Sequence, residues 1–331
     1  MLRGPSSLLL ATALAVAASG CAVGGPGAAI GGADDDEVTT TTHVRQAENG
    51  PLPDPPLGDP MELWRGDRRL TLPRGGETFR ELPRAGILVD LDSGEVLWEH
   101  APRRSLPIAS VTKVMTSLIV DAHTEPDDLV RISRAAAHQP GSAVGVLPAG
   151  RKVRVDTLQY GLMLSSGNDA ARALAEHVGG GTMAPFVRRM NDQARALGLR
   201  CTRFSNPSGF EETRYQRQAR NRSCAEDLAV LARVVLDRPR IAKVARTYRV
   251  VRRIPGKQKR VELYNHNPLL REGYRGTIGL KTGFTNAAGR CLVAVVERNG
   301  RRLAVVLLHS PDPGKQARSI LNRGFRLVGP A

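Results

Sequence analysis

The run PIASVTKVMTSLIV, at residues 107–120, constrains the fold more than any other part of this 331-residue chain. Its apolar residues recur with helical spacing and predict a buried helix that begins between Pro107 and Ala109. Ser110 and Lys113 stand three residues apart in the first turn of that helix, and residues at i and i+3 share a helix face. A serine hydroxyl and a lysine amine should therefore meet there without help from tertiary folding.

The chemistry of this pair favours a nucleophile. In the first turn of a helix, unpaired backbone N–H groups and the positive end of the dipole stabilise a developing negative charge. An amine beside a serine can activate the hydroxyl. Ser-x-x-Lys also arises by chance, but only seven of the 48 Lys and Arg residues are Lys. Arg cannot lose its proton, whereas a desolvated Lys can act as a base, so Lys113 and Lys281 in their apolar or Gly-rich settings are candidates.

Residues 1–21 predict an export signal, with a short positive region, an apolar run at Leu8–Val16 and small residues before Cys21. The apolar run is too short to span a bilayer comfortably. Small residues ending in Gly-Cys resemble the lipobox of bacterial lipoproteins, in which the Cys becomes lipidated. The match is imperfect, because Ala18 stands where that pattern prefers Leu. On the remaining resemblance we expect lipidation at Cys21, with plain cleavage and full secretion as the alternative.

The rest of the chain divides into a tether and a domain. Residues 22–78 are rich in Gly and Ala, then in acidic residues at 34–37, then in Pro between 51 and 60. That composition cannot bury a core and predicts a mobile, extended segment. Residues 79–331 suffice for one sizeable domain.

The formal net charge of +16 predicts an anionic partner for an exported domain, either a wall polymer or a membrane surface. Nucleic acid is the other class of partner that a basic chain favours. The export signal argues against it. An aromatic content of 4% also leaves few platforms on which bases could stack.

The coarse pattern of elements predicts an α+β fold. A hairpin at 85–100 leads into the Ser110 helix, and a β meander at 277–310 turns at Asn299-Gly300, the strongest hairpin signal in the chain. Antiparallel strands from both chain ends, flanked by helices and holding a helical insert, should form one sheet. Between them we predict an irregular region at 124–156, a capping box at Ser223–Glu226 and a β-ribbon at 246–263.

Two further polar segments are candidate sites. Ser166-Gly167-Asn168 lies between two predicted helices, where a loop can present a hydroxyl and an amide to a cleft. A plain turn is the alternative for this segment. Lys281-Thr282-Gly283 lies at the end of a predicted strand, and Gly283 would let the backbone approach a ligand closely.

Taken together and in this order, the three segments resemble the motifs of penicillin-binding proteins and class A β-lactamases. The resemblance is closest to the low-molecular-mass D-alanyl-D-alanine carboxypeptidases, peptidase family S11. It covers residues 82–329 and includes the stretches LSSGNDAA, FSNPSGF and GLKTGFT. It implies a β-lactamase/transpeptidase-like fold that removes the terminal D-Ala from peptidoglycan stem peptides, is acylated by β-lactam antibiotics and needs no cofactor or metal.

The resemblance also implies a role for individual residues. It implies that Ser110 is the nucleophile, that Lys113 is the general base and that Ser166, with Lys281, relays a proton to the leaving group. Asn168 would bind the substrate amide, and the backbone N–H groups of Ser110 and Phe284 would form the oxyanion hole. Lys281, Thr282 and Gly283 would bind the substrate. Lys315 is a candidate for binding the terminal carboxylate of the substrate.

Three alternative functions stay open. The same residues could serve an endopeptidase that cleaves peptide cross-links. A β-lactamase would need a Glu for fast deacylation, and Glu211 and Glu212 follow SNPSGF without the Glu-x-x-Leu-Asn pattern. The third alternative is a wall-binding lipoprotein without catalysis.

The four Cys residues fit export. Cys21 is lipidated or removed with the signal. We expect Cys201 and Cys224 to form a disulfide and Cys291 to be buried as a small apolar residue. Three free thiols are the alternative.

Overall fold

A computed structural model of the chain describes residues 61–72, 77–211, 220–257 and 259–329, all within the unit Gln46–Ala331. The predicted signal peptide at 1–21, its Cys21 and the predicted tether as far as residue 60 lie outside the described residues, as does Glu212. No helix among the described residues has the length and apolar character that crossing a membrane requires.

The strands in chain order are β1 (Ala85–Asp90), β2 (Val96–His100), β3 (Leu106–Pro107), β4 (Leu129–Arg131), β5 (Lys152–Arg154), β6 (Arg222–Ser223), β7 (Arg249–Arg253), β8 (Arg260–Tyr264), β9 (Thr277–Thr285), β10 (Gly289–Arg298) and β11 (Arg301–Ser310). The α-helices are α1 (Lys113–His123), α2 (Arg134–Ala137), α3 (Val155–Met163), α4 (Asn168–Val178), α5 (Met183–Ala196), α6 (Ala225–Leu236), α7 (Pro239–Ala245), α8 (Pro268–Arg271) and α9 (Pro313–Val328). A 3-10 turn, Ala109–Thr112, directly precedes α1.

Five strands form one antiparallel sheet in the order β2-β1-β11-β10-β9. The pairing of β1 with β11 sets Ile87 opposite Val306, so the first hairpin and the last meander share the sheet. Asn299 and Gly300 connect β10 to β11 with φ angles of 49° and 74°, the left-handed conformation that a tight hairpin turn favours. The predicted antiparallel sheet built from both chain ends is confirmed.

Both faces of the sheet are covered. Successive side chains of a strand point to opposite faces. Ile87 and Val89 accordingly enter a large core shared with the helical insert, while Leu88 enters a smaller core beneath α9. Gly324 lets α9 approach the sheet, since a Cβ at that position would lie 2.7 Å from Leu88 Cδ2.

Helix α1 runs through the centre of the helical layer. Its residues from Lys113 to Val120 are all buried, and α3, α4, α5, α6 and α7 pack around it. A helix that is buried all round is held by packing on every side. The residues just before α1 therefore stand on a rigid base.

The predicted tether is too long at its C-terminal end, because residues 61–72 pack along the edge strand β2. The backbone N–H of Val96 donates to the carbonyl of Trp64 at 2.9 Å. The Arg68 guanidinium pairs with the buried carboxylate of Glu95. The Pro- and Gly-rich composition of the surrounding sequence did not indicate this segment, whose Met61, Leu63, Leu70 and Leu72 pack on the cores while it covers an open sheet edge.

Two local predictions are also wrong. Cys224, not Ser223, precedes α6, and the Ser223 hydroxyl lies 2.7 Å from the Thr202 hydroxyl instead of capping the helix. The region 124–156, predicted to be irregular, contains β4, α2 and β5. These elements have three or four residues each, which is too short for hydrophobic periodicity to indicate.

Cys201 and Cys224 are joined in the structure, with their Cα atoms 5.5 Å apart and a sequence separation of 23. The Asp227 carboxylate accepts hydrogen bonds from the backbone N–H of Cys201 at 2.7 Å and from the Thr202 hydroxyl at 2.6 Å. The bridge therefore ties the segment after α5 to the first turn of α6.

We predict that the double variant Cys201→Ala/Cys224→Ala loses about 3 kcal/mol of unfolding free energy, because a cross-link of this length restricts the unfolded chain. Thermal unfolding should shift downward by roughly 6 to 12 °C. Mass spectrometry of non-reduced peptides should recover the two segments joined. Free thiols at both positions, or equal melting temperatures for the two proteins, would contradict the bridge.

Candidate active site

Ser110 and Lys113 meet at the junction between the 3-10 turn and α1. Ala109 has a φ of 46°, which bends the chain out of β3 and into the turn. Ser110 lies inside the turn, and Lys113 is the first residue of α1. The Lys113 Nζ atom lies 2.9 Å from Ser110 Oγ. The sequence placed Ser110 in the first turn of the helix itself, whereas the structure has it in the 3-10 turn just before.

The Lys113 side chain is fully buried, and its nitrogen has two neighbours besides Ser110. It donates to Asn168 Oδ1 at 2.8 Å and to the backbone carbonyl of Ser208 at 2.8 Å. Both atoms can only accept hydrogen bonds. A neutral amine would give its two hydrogens to these two oxygens. Its lone pair would then point toward the hydroxyl of Ser110.

Burial lowers the pKa of Lys113 well below its usual value, and the charge of Lys281 lowers that pKa further. The carboxylate of Asp169 acts in the opposite direction and raises it. Burial thus outweighs the effect of Asp169, and Lys113 can lose its proton at pH values where an exposed lysine is fully charged.

The segment Ser166–Asn168 connects α3 to α4. Ser166 has a φ of 59° in the left-handed region, and its side chain is 5% exposed. Its Oγ has no hydrogen-bond partner among the described residues. A buried hydroxyl without a partner is costly unless a ligand supplies one. The strained backbone and the free hydroxyl together point to a functional position.

A loop at 140–145 fixes the amide of Asn168. The Asn168 side chain donates through Nδ2 to the carbonyl of Pro140 at 2.9 Å, which directs Oδ1 to Lys113. The neighbouring Asp169 accepts from the backbone N–H groups of Val144 at 2.9 Å and Gly145 at 3.0 Å. The loop is thereby held against the start of α4. Sequence reasoning missed Asp169, although its place beside Asn168 at a helix start was a signal.

The carbonyl of Ser208 is a second contribution that sequence reasoning missed. It belongs to the loop SNPSG, where Asn206 Oδ1 accepts from the backbone N–H groups of Ser208 and Gly209 at 3.1 and 2.7 Å. Gly209 has a φ of 74°, and a Cβ there would lie 1.8 Å from the carbonyl of Ala109. The sequence indicated the turn-forming residues of this loop. It did not indicate that the Ser208 carbonyl would contact Lys113, because that contact depends on how the loop packs on the Ser110 turn.

Strand β9 forms the opposite wall of the site. Lys281 is 2% exposed, its Nζ donates to the carbonyl of Thr282 at 3.0 Å, and burial lowers its pKa to about 7. Thr282 is half-buried. A Cβ on Gly283 would lie 2.8 Å from the carbonyl of Ile108 and 3.0 Å from the backbone nitrogen of Ser110. Position 283 therefore requires a glycine, because any side chain would collide with these backbone atoms. Strand β9 passes directly beside Ser110.

The backbone of Phe284 follows this contact along β9, while its side chain is 64% exposed. The structure thus brings the Ser110 turn beside the strand segment that contains the second predicted oxyanion donor. Ser110, Lys113 and Asn168, from the 3-10 turn and the starts of α1 and α4, therefore lie close together beside the segment 281–284 of the edge strand β9.

Other candidate residues have surface or structural surroundings. The Lys315 ammonium lies 3.8 Å from Glu77 and 3.9 Å from Asp312 at the start of α9. Glu211 accepts from the Thr285 hydroxyl at 3.0 Å and pairs with Arg220 at 3.5 Å. Glu211 is therefore already engaged in a contact with β9.

Comparison with known proteins agrees with this arrangement. Residues 83–312 match the family model Peptidase_S11, described as D-alanyl-D-alanine carboxypeptidase. A D-alanyl-D-alanine carboxypeptidase of Bacillus subtilis is 33% identical over 235 residues, which are 70% of this chain and 58% of that protein. One from Mycobacterium tuberculosis is 33% identical over 247 residues, 73% of this chain and 81% of that protein.

Solved structures give the same result. A D-alanyl-D-alanine carboxypeptidase from Mycobacterium tuberculosis superposes with a TM-score of 0.70 at 30% identity, covering 80% of this chain and 96% of that one. A point mutant of the Streptomyces K15 DD-transpeptidase gives a TM-score of 0.68 at 30% identity, covering 74% of this chain and 98% of that one. The chain belongs to the D-alanyl-D-alanine carboxypeptidase family, Peptidase S11.

Proposed function

We propose that the protein is a serine-type D-Ala-D-Ala carboxypeptidase that removes the terminal D-Ala from peptidoglycan stem peptides through an acyl-enzyme on Ser110. One observation carries the proposal. The buried Lys113 nitrogen lies 2.9 Å from Ser110 Oγ, and two obligate acceptors occupy its other hydrogens. That geometry supports a neutral amine whose lone pair faces the serine hydroxyl.

Acylation begins when Ser110 Oγ attacks the carbonyl carbon of the penultimate D-Ala. Its proton passes to Lys113, which the lowered pKa keeps available as a base. The negative charge on the carbonyl oxygen is stabilised by the backbone N–H groups of Ser110 and Phe284. One such donor is typically worth on the order of a hundred- to a thousandfold in rate.

The tetrahedral intermediate then breaks its bond to the terminal D-Ala. Ser166 relays to the leaving nitrogen the proton that Lys113 took from Ser110, which restores the neutral amine, and Lys281 supports that transfer with its charge. The Ser166 hydroxyl supports this role, because it is buried and has no hydrogen-bond partner among the described residues. Lys281 and Thr282 receive the terminal carboxylate, the side chain of Asn168 binds the substrate amide, and Gly283 keeps β9 close enough to Ser110 for these contacts.

Deacylation completes the cycle. Lys113 takes a proton from the water that attacks the ester carbonyl and returns it to Ser110 Oγ as the ester bond breaks, and the shortened stem peptide leaves. A β-lactam presents its ring carbonyl to the same atoms and acylates Ser110 as a substrate mimic. The leaving nitrogen of a β-lactam stays tethered to the acyl group, which favours a long-lived adduct.

A second candidate activity is DD-endopeptidase cleavage of peptide cross-links. A D-alanyl-D-alanine endopeptidase of Escherichia coli is 31% identical over 229 residues, 68% of this chain and 70% of that protein. The same nucleophile and base would serve both reactions. The difference would lie in whether the group beyond the scissile bond is free D-Ala or a second stem.

The proposed location is the outer face of the cell membrane, with a lipid on Cys21 and the basic domain facing anionic wall polymer or membrane surface. The support is the predicted export signal of the sequence and the net charge of +16.

We predict that Cys21→Ala shifts the protein from the membrane pellet to the culture fluid. An unchanged membrane fraction would argue for a different anchor.

The activity test uses N-acylated L-Lys-D-Ala-D-Ala and measures release of D-Ala. We predict release by the wild type, none detectable with Ser110→Ala, and a loss on the order of a hundred- to ten-thousandfold with Lys113→Arg, because Arg keeps the charge but cannot accept the proton. Lys243→Arg, an exposed position on α7, is the matched control and should leave the rate unchanged.

The same proteins distinguish the alternatives. Release of linked stems from cross-linked muropeptides faster than D-Ala from the tripeptide would favour the endopeptidase. Rapid hydrolysis of nitrocefin would favour a β-lactamase. A wild type that releases no D-Ala and forms no penicillin adduct, yet binds wall fragments, would replace the enzyme with a binding protein.

A further inference from the structure

Strands β7 and β8 and the turn between them form a two-stranded ribbon separate from the main sheet. We call β7, β8 and the described turn residues 254–257 and 259 the basic ribbon. Its inner face packs against the core through Val250, Val261 and Leu263. Its outer face is exposed and does not include the catalytic residues described above.

Cations dominate that outer face. The cross-strand pairs are Arg249 with Tyr264, Val251 with Glu262, and Arg253 with Arg260. Like charges directly opposite each other destabilise a sheet. Within the described part of the chain, neither Arg253 nor Arg260 has an acidic partner within ion-pair distance, whereas Arg249 pairs with Glu262.

The turn adds further positive charge. Lys257 and Lys259 are exposed, and among the described residues neither forms an ion pair. Ile254 is only 5% exposed and packs inward, so the turn residues that the structure describes offer no bulky apolar side chain for insertion into a lipid. Four cations thus collect at one end of the ribbon without neutralisation by any described residue.

Aromatic rings lie at the other end. Tyr248 and Tyr264 are 46% and 43% exposed, and their ring centroids are 6.3 Å apart at an angle of 72°. Val251, 49% exposed, lies between these rings and the cations. Exposed rings at this end can contact the carbon skeleton of a polymer whose charges are bound by the cations at the turn end.

The ribbon is held firmly and lies near the site. The Arg252 guanidinium lies 4.0 Å from the centroid of the Tyr160 ring and pairs with Asp156 at 3.1 Å, which fixes β7 to α3. Beyond β8, Asn265 donates to the carbonyls of Ala245 and Thr247 at 3.2 and 3.1 Å, next to the end of α7. Helix α7 in turn packs on β9.

We propose that the outer face of the basic ribbon binds a linear phosphodiester polymer of the cell envelope. Arg253 and Arg260 lie directly opposite each other and Lys257 and Lys259 lie in the turn, so neighbouring phosphates of one extended polymer can each meet a cation there. The unrelieved repulsion between Arg253 and Arg260 is then compensated by a bound phosphate.

The test measures binding of a fluorescent poly(glycerol phosphate) oligomer to the purified protein by anisotropy, at increasing NaCl concentrations. We expect Arg253→Gln/Arg260→Gln to weaken binding about tenfold or more in low salt and to reduce the slope of log Kd against log salt by about two. The matched control, Arg188→Gln/Arg326→Gln, removes the same charge from exposed positions on α5 and α9 and should bind like the wild type.

If the arginine pair only stabilised the fold, the double variant Arg253→Gln/Arg260→Gln would have a lower melting temperature than the wild type. We instead expect the removal of two opposed cations to leave the melting temperature unchanged or to raise it. D-Ala release from the soluble tripeptide should stay at the wild-type rate. The proposal would be overturned if both double variants weakened binding of the oligomer equally, or if the wild type did not bind the oligomer. Tighter binding to phosphatidylglycerol vesicles than to the oligomer would reassign the ribbon to the membrane.

Discussion

The structure depends on the burial of one lysine amine. Lys113 is fully buried, and its nitrogen lies within hydrogen-bond distance of three groups: a carbonyl from a loop, an amide oxygen from a helix start and the hydroxyl of Ser110. Burying a charged amine is unfavourable, so its pKa falls. A lowered pKa is what the proposed role of Lys113 as the base for Ser110 requires, and perturbed pKa values of this kind cluster at active sites.

Two glycines make that enclosure possible. Gly209 lets the loop that carries the Ser208 carbonyl pack against the backbone of Ala109, and Gly283 lets β9 pass close to the backbone of Ser110. A side chain at either position would collide with backbone atoms, which cannot move aside as the end of a flexible side chain can. The sheet from both chain ends and the central helix α1 hold these backbones in place.

Much of this arrangement could be predicted from local patterns. The periodicity of α1, the Asn299-Gly300 turn and the three motifs led to the correct fold and family, because each depends on residues close together in sequence. The packing of segment 61–72 could not be predicted, since its partner strand lies elsewhere in the chain. The role of the Ser208 carbonyl could not be predicted for a related reason. Every residue has a backbone oxygen, and only tertiary packing decides which one is used.

The most direct test of the neutral lysine is the pH dependence of acylation by benzylpenicillin, measured as the rate of adduct formation on Ser110. We predict that the rate rises as Lys113 deprotonates well below pH 10.5, and that it declines as Lys281 loses its positive charge near pH 7. Lys113→Arg should show no such ascending limb. A wild-type rate that keeps climbing to pH 10.5 would contradict a neutral Lys113, because that residue would then titrate like an exposed lysine.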